Sequence, residues 1–316
     1  NYIIKSQKTR MKALNIRKAL SGCDDIADIL EVSKKSRGKD IKNPILIRKD
    51  GSSLYLLRDI AYAMHKLVEL KADKVLNVIG VDQRLEQKYV IAALYLMGLK
   101  DAPKKYIHVA YELVRLPGRR MSSRKGQYVS LDELLQETID RAYIEVDKRY
   151  PELSIEAKKA LSKEIAVGAL KFALLNSVST KVIIFDWNRV LDFEQNSGPF
   201  IQYAHARAAS ILRKTSWKIP NRADFRKLTT DEEFELIYKL AMFPEIIEET
   251  VKSLRPDLLC NYANELAMLF NKFYQKCPVL RAEGGLKEAR ILLVAVFRRV
   301  LATVMKLLGI RPLYKM

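Results

Sequence analysis

The chain has 316 residues, which is enough for two domains with separate hydrophobic cores. Its 56 Lys and Arg residues outnumber its 37 Asp and Glu residues, which gives a formal net charge of +19. Such an excess favours a polyanionic partner such as RNA, although a solubility charge or an adaptation to an unusual cell interior would also produce it.

Composition argues against several classes of protein. Cys23, Cys260 and Cys277 are far apart and show no paired spacing, so neither a disulfide framework nor a zinc site is indicated. This usage fits a reducing cytoplasmic compartment. The longest apolar run, residues 291–297, is too short to span a bilayer, and no secretory signal is visible. We therefore expect a cytoplasmic protein without a metal site and without membrane association. We also expect it to be a monomer.

The first 20 residues carry six cations and no acid, and the chain does not begin with Met. An organellar transit segment would have this pattern. A chain that starts inside a longer catalytic domain would also lack an initiating Met.

The next elements alternate between helix and strand. Apolar spacing predicts a helix over residues 54–67, in which Tyr55 and Asp59 are four residues apart and share one face. Residues 77–83 predict a buried strand that ends in a turn at Asp82 and Gln83, and residues 86–99 predict a helix.

A second strand is predicted over residues 106–109, before Pro117 and Gly118 end it. Strand, helix and strand indicate half of a doubly wound α/β sheet. Ligands of such sheets bind beyond the carboxyl ends of the strands, where Gln83 lies.

Residues 118–126 read GRRMSSRKG, a loop with four cations and two hydroxyls between glycines. This composition suits a polyphosphate, because guanidinium, ammonium and hydroxyl groups all donate to phosphate oxygens. A solvated basic turn is the alternative. The position of the loop after the second strand favours the phosphate site.

From about residue 196 the chain predicts an all-α bundle. Pro and Gly signals separate helices over residues 201–213, 231–254, 256–276 and 286–308. In the last helix, apolar residues recur from Phe297 to Leu308 at the spacing of a core stripe.

Several segments of the chain, taken in order, resemble arginyl-tRNA synthetases. They comprise residues 53–62, 80–83, 111–118, 120–124, 185–189, 193–194, 196–200, 202–207 and 270–274. The resemblance covers residues 44–316. It implies the second half of a Rossmann-type class I catalytic domain over residues 44–130, a helical connector over 131–195 and a DALR-type anticodon-binding domain over 196–316.

Class I synthetases also need an upstream HIGH-like motif, whereas His65, His108 and His205 lie in other contexts. Residues 1–43 are the stretch where the resemblance is weakest. We therefore expect the C-terminal part of a longer enzyme, inactive by itself and with its C-terminus intact.

The resemblance implies an arginine–tRNA ligase that uses ATP, with Mg²⁺ accompanying the ATP. Residues 120–124 are similar to the mobile KMSKS loop of this class. By this similarity Arg120 and Arg124 hold the β and γ phosphates, Ser122 and Ser123 donate hydrogen bonds, and Met121 anchors the loop. The sequence shows no dedicated set of magnesium ligands.

The resemblance assigns arginine binding to Tyr55, Asp59 and Gln83. A carboxylate such as Asp59 can accept two hydrogen bonds from a guanidinium group. An ion pair of Asp59 with Arg58 or Lys66 on the same helix is the alternative. The turn at Gln83 departs from the acidic-His-His pattern common in bacterial members, which leaves a structural role open for that residue.

Binding of the arginine-accepting tRNA is assigned to Tyr203, Arg207, Phe273, Tyr274 and Met316. Tyr203 and Arg207 pair a stacking ring with a cation four residues later, and Phe273 and Tyr274 offer further rings. Met316 matches a terminal Met of many eukaryotic and archaeal members. Burial of the aromatic residues in the bundle core is the alternative.

Two rival functions remain at this point. A different class I synthetase would share the basic loop but would lack the pair Tyr55 and Asp59 and the run 196–207. A non-catalytic tRNA-binding module would lack the first half of the sheet.

Overall fold

The computed structural model describes residues 44–116 and 130–316. The chain divides into two compact units, Asn1–Glu112 and Leu113–Met316. The predicted phosphate loop lies outside the described residues, and so do its site residues Arg120, Met121, Ser122, Ser123 and Arg124.

The described part of the first unit is an α/β structure with one parallel pair of strands. Its elements are α1 (Tyr55–Met64), a π-helical turn (His65–Glu69), β1 (Val75–Gly80), α2 (Arg84–Leu96), α3 (Ala102–Lys105) and β2 (Tyr106–Tyr111). Strand β1 pairs with β2 in parallel, with Val75 opposite Tyr106. A parallel pair needs a crossover connection, and the helical segment between the two strands provides it.

Helices α1 and α2 cover one apolar cluster of the first unit. Leu57, Ile60 and Ala63 recur every three residues on α1 and are buried. They pack with residues of α2, β1 and β2 in the same cluster. The helices and strands predicted for this unit are present, with ends that differ by a few residues. The prediction that the first strand is buried is wrong, because Leu76 and Val78 on β1 are exposed.

The second unit is mainly helical. Its elements are β3 (Val114–Arg115), α4 (Leu131–Arg149), α5 (Ile155–Leu175), β4 (Ile183–Ile184), α6 (Trp187–Val190), α7 (Gly198–Lys214), a 3₁₀ turn (Phe225–Lys227), α8 (Asp231–Ala241), α9 (Phe243–Ser253), α10 (Asp257–Lys276) and α11 (Gly285–Leu307). Strands β3 and β4 pair in parallel. None of the described helices is long and apolar enough to cross a membrane.

The prediction of one helix over residues 231–254 is wrong. The structure has two helices there, α8 and α9, which meet at Met242. Pro244 lies in the first turn of α9, where its missing N–H costs no hydrogen bond, whereas inside a longer helix it would break the ladder. The other three predicted helices are confirmed as α7, α10 and α11.

The bundle core lies between α7, α10 and α11. The predicted stripe on α11 is confirmed, because Phe297, Leu301, Val304 and Met305 are fully buried in the main cluster. The ring of Phe297 stacks on Phe270 of α10 with centroids 3.8 Å apart.

One ion pair is buried inside this bundle. Arg290 Nε of α11 donates to Glu233 Oε1 of α8 over 2.6 Å, and both side chains are almost fully covered. Burial alone would raise the pKa of Glu233, but hydrogen bonds from Thr230 and Arg290 hold it below its ordinary value. The pair fixes α8 against α11.

Helices α5 and α7 touch through their backbones. A Cβ atom at Gly198 would lie 2.3 Å from the carbonyl oxygen of Gly168, which is closer than any real contact. A Cβ at Gly168 would lie 2.8 Å from the amide of Gln202. The start of α7 therefore requires glycine for close approach.

We expect Gly198→Ala to lower the free energy of unfolding of the second unit by about 1–3 kcal/mol, because the helices must separate to admit the methyl group. Trp187 and Trp217 are the two tryptophans of the chain and both lie in this unit, so their fluorescence in urea reports its unfolding. Gly285→Ala is the matched control, since its methyl group would meet only the flexible end of Lys227. Equal midpoints for the two variants would contradict the close approach.

Candidate functional site

Asp59 is a half-buried carboxylate on α1 that no described residue pairs with. The two cations proposed as its partners are engaged elsewhere. Arg58 donates from Nε to Ser53 Oγ over 3.2 Å. Lys66 holds its ammonium group 4.0 Å from the centre of the Tyr62 ring. The alternative of an ion pair within the helix is therefore not seen, and neither carboxylate oxygen of Asp59 has a hydrogen-bond partner among the described residues.

Burial raises the pKa of Asp59, and the positive charge of Lys66 offsets part of this effect. A carboxylate that loses hydration without gaining a partner favours any cation that can replace the water. A planar guanidinium fits this requirement well, because it donates two parallel hydrogen bonds to one carboxylate.

Tyr55 and Gln83 belong to the same unit as Asp59. Tyr55 lies one helical turn before it on α1 and is 79% exposed, with the guanidinium of Arg58 5.7 Å from its ring centre. Gln83 is exposed beyond the carboxyl end of β1, directly before α2. Helix α1 packs on α2, so the three residues lie on neighbouring elements of one unit.

A buried polar network in the first unit was not predicted from the sequence. Asn77 Nδ2 donates to Gln87 Oε1 over 2.6 Å and to the Tyr106 hydroxyl over 2.9 Å. Burial raises the pKa of Tyr106 to about 12, and the negative charge of Asp59 adds to this shift. Tyr106 therefore remains a neutral donor near Asp59. The sequence held one signal of this network, because Asn77 is a polar residue within an otherwise apolar strand.

Arg207 forms the centre of a stack in the second unit. Its guanidinium carbon lies 4.7 Å from the ring centre of Tyr203 and 4.8 Å from that of Tyr274. Nη1 also donates to Asn271 Oδ1 over 2.6 Å. No described carboxylate forms an ion pair with it. We call Tyr203, Arg207, Asn271 and Tyr274 the Arg207 stack; Asn271 was not predicted.

Two cavities share residues of this stack, and together they form what we call the basic groove. The larger, of about 710 Å³, includes among its lining residues Arg213, Lys214, Arg281, Lys315 and Met316. The smaller, of about 420 Å³, includes Arg149, Tyr150, Phe193, Glu194 and Lys272. Tyr203, Arg207 and Gln275 line both. Within the described chain, Glu194 is the only acidic residue that lines either cavity.

The structure brings four of the five predicted tRNA-binding residues to this groove. Tyr203, Arg207, Tyr274 and Met316 line the larger cavity. Phe273 is fully buried and lies in the core cluster. A ring buried in the core cannot stack on a base, so the structure speaks against this prediction for Phe273. Its neighbour Tyr274 lies on the exposed face of α10.

A resident metal site is not seen in the described ranges, where no group of three or more His, Cys, Asp or Glu residues could hold an ion.

Two family models match the chain. The model for tRNA synthetases class I (R), catalytic domain, matches residues 8–187, which include most of the segment where we expected the weakest resemblance. The model for the DALR anticodon binding domain matches residues 201–316. The chain therefore combines a class I aminoacyl-tRNA synthetase catalytic domain with a helical anticodon-binding domain, as the sequence predicted.

Similar proteins show which member of this class the chain resembles. The chain is 43% identical over 287 residues to an arginine–tRNA ligase of Methanocella arvoryzae, covering 91% of this chain and 49% of the relative. It is 41% identical over 271 residues to that of Pyrobaculum islandicum, covering 86% and 42%. The solved Thermus thermophilus arginyl-tRNA synthetase matches with a TM-score of 0.78 at 31% identity, covering 93% of this chain and 58% of that structure.

The chain belongs to the arginyl-tRNA synthetase family, which confirms the resemblance of its motifs. It spans about half the length of the relatives named above.

We expect Asp59 to titrate above the ordinary aspartate value of 3.8, because its partial burial disfavours the charged form. Replacing Lys66 by Met should raise this pKa further, since a stabilising positive charge is removed. Carboxyl carbon chemical shifts of labelled aspartate, followed by NMR against pH, measure both values. Lys100→Met is the control. A pKa at or below 3.8, or one that Lys66→Met leaves unchanged, would contradict the described environment.

Proposed function

We propose that this chain supplies the arginine-recognition and tRNA-binding parts of an arginine–tRNA ligase, which activates arginine with ATP and transfers it to tRNA. The observation that carries the proposal is the half-buried Asp59 carboxylate without a described partner. A purely tRNA-binding role is not favoured, because the catalytic-domain match extends over residues 8–187. The family match also disfavours another class I synthetase.

In this proposal Asp59 selects the substrate by its guanidinium. The forked guanidinium of the arginine substrate donates two hydrogen bonds to the Asp59 carboxylate. Tyr55 and Gln83 flank this guanidinium. Lysine presents a compact ammonium with no matching fork, so it gains less from the same acceptor. The partial burial of Asp59 strengthens the pair, because water competes less for both groups.

Activation needs positioning and charge neutralisation more than a protein nucleophile. The carboxylate of arginine attacks the α-phosphate of ATP and pyrophosphate leaves. We assign the phosphates to Arg120 and Arg124, hydrogen-bond donation to Ser122 and Ser123, and loop anchoring to Met121. Mg²⁺ would accompany the ATP as part of this substrate.

The basic groove is the proposed tRNA site. Bases stack on aromatic rings, and cations along a groove attract the phosphate backbone. Tyr203 and Tyr274 supply rings, whereas Arg213, Lys214 and Arg281 supply charge. Two rings and an amide surround Arg207, so no described carboxylate offsets its charge. Met316 adds an apolar wall.

We expect the chain to bind L-arginine more tightly than L-citrulline, which has the same length but no charge. Asp59→Asn should weaken arginine binding by roughly 30-fold to several thousand-fold, because a partly buried charge pair loses one partner. Calorimetry measures both ligands, and Asp73→Asn, an exposed aspartate of the same unit, is the control. Affinity should also fall as the pH drops through the raised pKa of Asp59.

Activation is assayed with the 316 residues alone and after joining them to the preceding half of the Methanocella arvoryzae relative. We expect arginine-dependent pyrophosphate exchange from the joined protein and none from the 316 residues by themselves. None of the three histidines in these 316 residues lies in a HIGH-like motif. Unchanged arginine affinity and turnover in Asp59→Asn would remove this residue from the site.

For RNA we expect Arg207→Met and Tyr203→Ala to act differently. Arg207→Met removes charge while keeping an apolar spacer between the rings. It should weaken the binding of all tRNAs alike. It should also reduce the slope of log affinity against log salt by about 0.7, the value for one phosphate on a single strand. Tyr203→Ala should erode the preference for arginine tRNA, since stacking on a ring contributes about 1–3 kcal/mol per base.

Fluorescence anisotropy with arginine tRNA and a noncognate tRNA at matched ionic strength measures both effects. Arg226→Met, an exposed cation paired with Asp224 outside the groove, is the control. A tRNA preference that survives Tyr203→Ala in a folded chain would exclude Tyr203 from base contact.

A further inference from the structure

Residues 309–316 form an irregular segment, which we call the strap, that follows α11 and contacts α7. Gly309 has a φ of +69°, a conformation that side chains disfavour, and it reverses the chain after the helix. Ile310 N–H donates to the carbonyl of Met305 over 2.7 Å and closes this turn. Ile310 and Leu313 are then buried.

Side chains hold the strap by its carbonyl oxygens. Gln202 Nε2 donates to the carbonyl of Arg311 over 3.1 Å, and His205 Nδ1 donates to that of Leu313 over 2.7 Å. Both donors are fully buried. At the two ends, Lys171 Nζ donates to the carbonyl of Gly309 over 2.5 Å and Arg213 Nη1 to that of Tyr314 over 3.1 Å.

The protonation state of His205 suits this contact. A carbonyl oxygen only accepts, so Nδ1 carries the proton, while Nε2 is buried without a described partner. Burial lowers the pKa of His205, although the hydrogen bond to Leu313 opposes this, and the charges of Arg298 and Lys306 lower it further. The ring also packs edge-on against Tyr314, with centroids 5.3 Å apart. The imidazole is therefore a neutral donor.

The strap and the groove lie against different faces of helix α7. With 3.6 residues per turn, Gln202 and His205 lie on one side of the helix and Tyr203 and Arg207 on nearly the opposite side. The strap nevertheless reaches the groove, because its last two residues line the larger cavity beside Tyr203 and Arg207. The register of the strap on α7 thus decides where these two side chains lie.

We propose that Gln202 and His205 are positioning residues that lock the strap in one register and so build the wall of the RNA groove from Lys315 and Met316. This inference rests on the proposed tRNA-binding function of the groove. Neither residue faces the groove itself, and neither is among the residues that line it. Their effect on RNA is therefore exerted through the strap.

The test compares His205→Asn with His205→Leu in the full chain. The two replacements have nearly the same shape, but only Asn keeps a donor in the place of Nδ1. We expect His205→Leu to lower the affinity for arginine tRNA about tenfold, within the range for an unmet buried hydrogen bond, and His205→Asn to stay within about threefold of the parent. Hydrogen exchange of the amides of residues 313–316 should rise in the Leu variant only.

A thermodynamic cycle separates positioning from general structural damage. Ending the chain after Tyr314 removes the proposed wall and should lower tRNA affinity by a similar factor. In that shortened chain His205→Leu should have no further effect, because the wall it positions is gone. If His205→Leu does not fold, Gln202→Met replaces it in the same cycle.

Each outcome decides between the two proposals. A parent chain without preference for arginine tRNA overturns the proposed function and this inference with it. A parent with that preference, together with full tRNA affinity in His205→Leu, overturns the inference alone. Equal losses from His205→Leu in the full and shortened chains also overturn it, since the residue would then act on the bundle as a whole.

Discussion

The second unit depends on the backbone contact between α5 and α7. Gly168 and Gly198 leave no room for a side chain between the helices, so α7 is fixed in height and rotation against α5. Helices α10 and α11 then pack on its remaining apolar surface. With α7 fixed in this way, the direction of each of its polar side chains is fixed as well. The groove and the strap are both consequences of that orientation.

Helix α7 is unusual for a core helix because Gln202 and His205 are buried beside apolar residues such as Ala204 and Ala208. Burying an amide or imidazole without a partner costs about 1–3 kcal/mol. The strap has the complementary need, since an irregular segment cannot satisfy its own carbonyls. The donor atoms Gln202 Nε2 and His205 Nδ1 and the carbonyls of Arg311 and Leu313 therefore satisfy one another. Apolar packing alone would tolerate a slipped strap, whereas these directional bonds specify one register.

Local patterns allowed much of this fold to be predicted. Helical periodicity gave the buried stripe of α11 and the shared face of Tyr55 and Asp59, because both depend on neighbours in sequence. The failures concern information that is not local. Phe273 and Tyr274 are adjacent, and only the packing of α10 decides which ring is buried. The contact between Arg207 and Asn271, and those between α7 and the strap, join residues 64 to 109 positions apart.

The net charge of +19 does not act evenly over the surface. Lysines on α8 and α10 pair with glutamates of the facing helix, as in Lys272 with Glu235 and Lys276 with Glu232. Such exposed pairs contribute at most about 1 kcal/mol each to stability, but they neutralise the cations that form them. Arg213, Lys214, Arg281 and Lys315 form no ion pair among the described residues, and all four line the larger cavity. Among the described residues, these unpaired cations therefore gather beside the end of the strap. If the groove binds tRNA as proposed, the position of the strap sets where part of this positive charge meets the phosphate backbone.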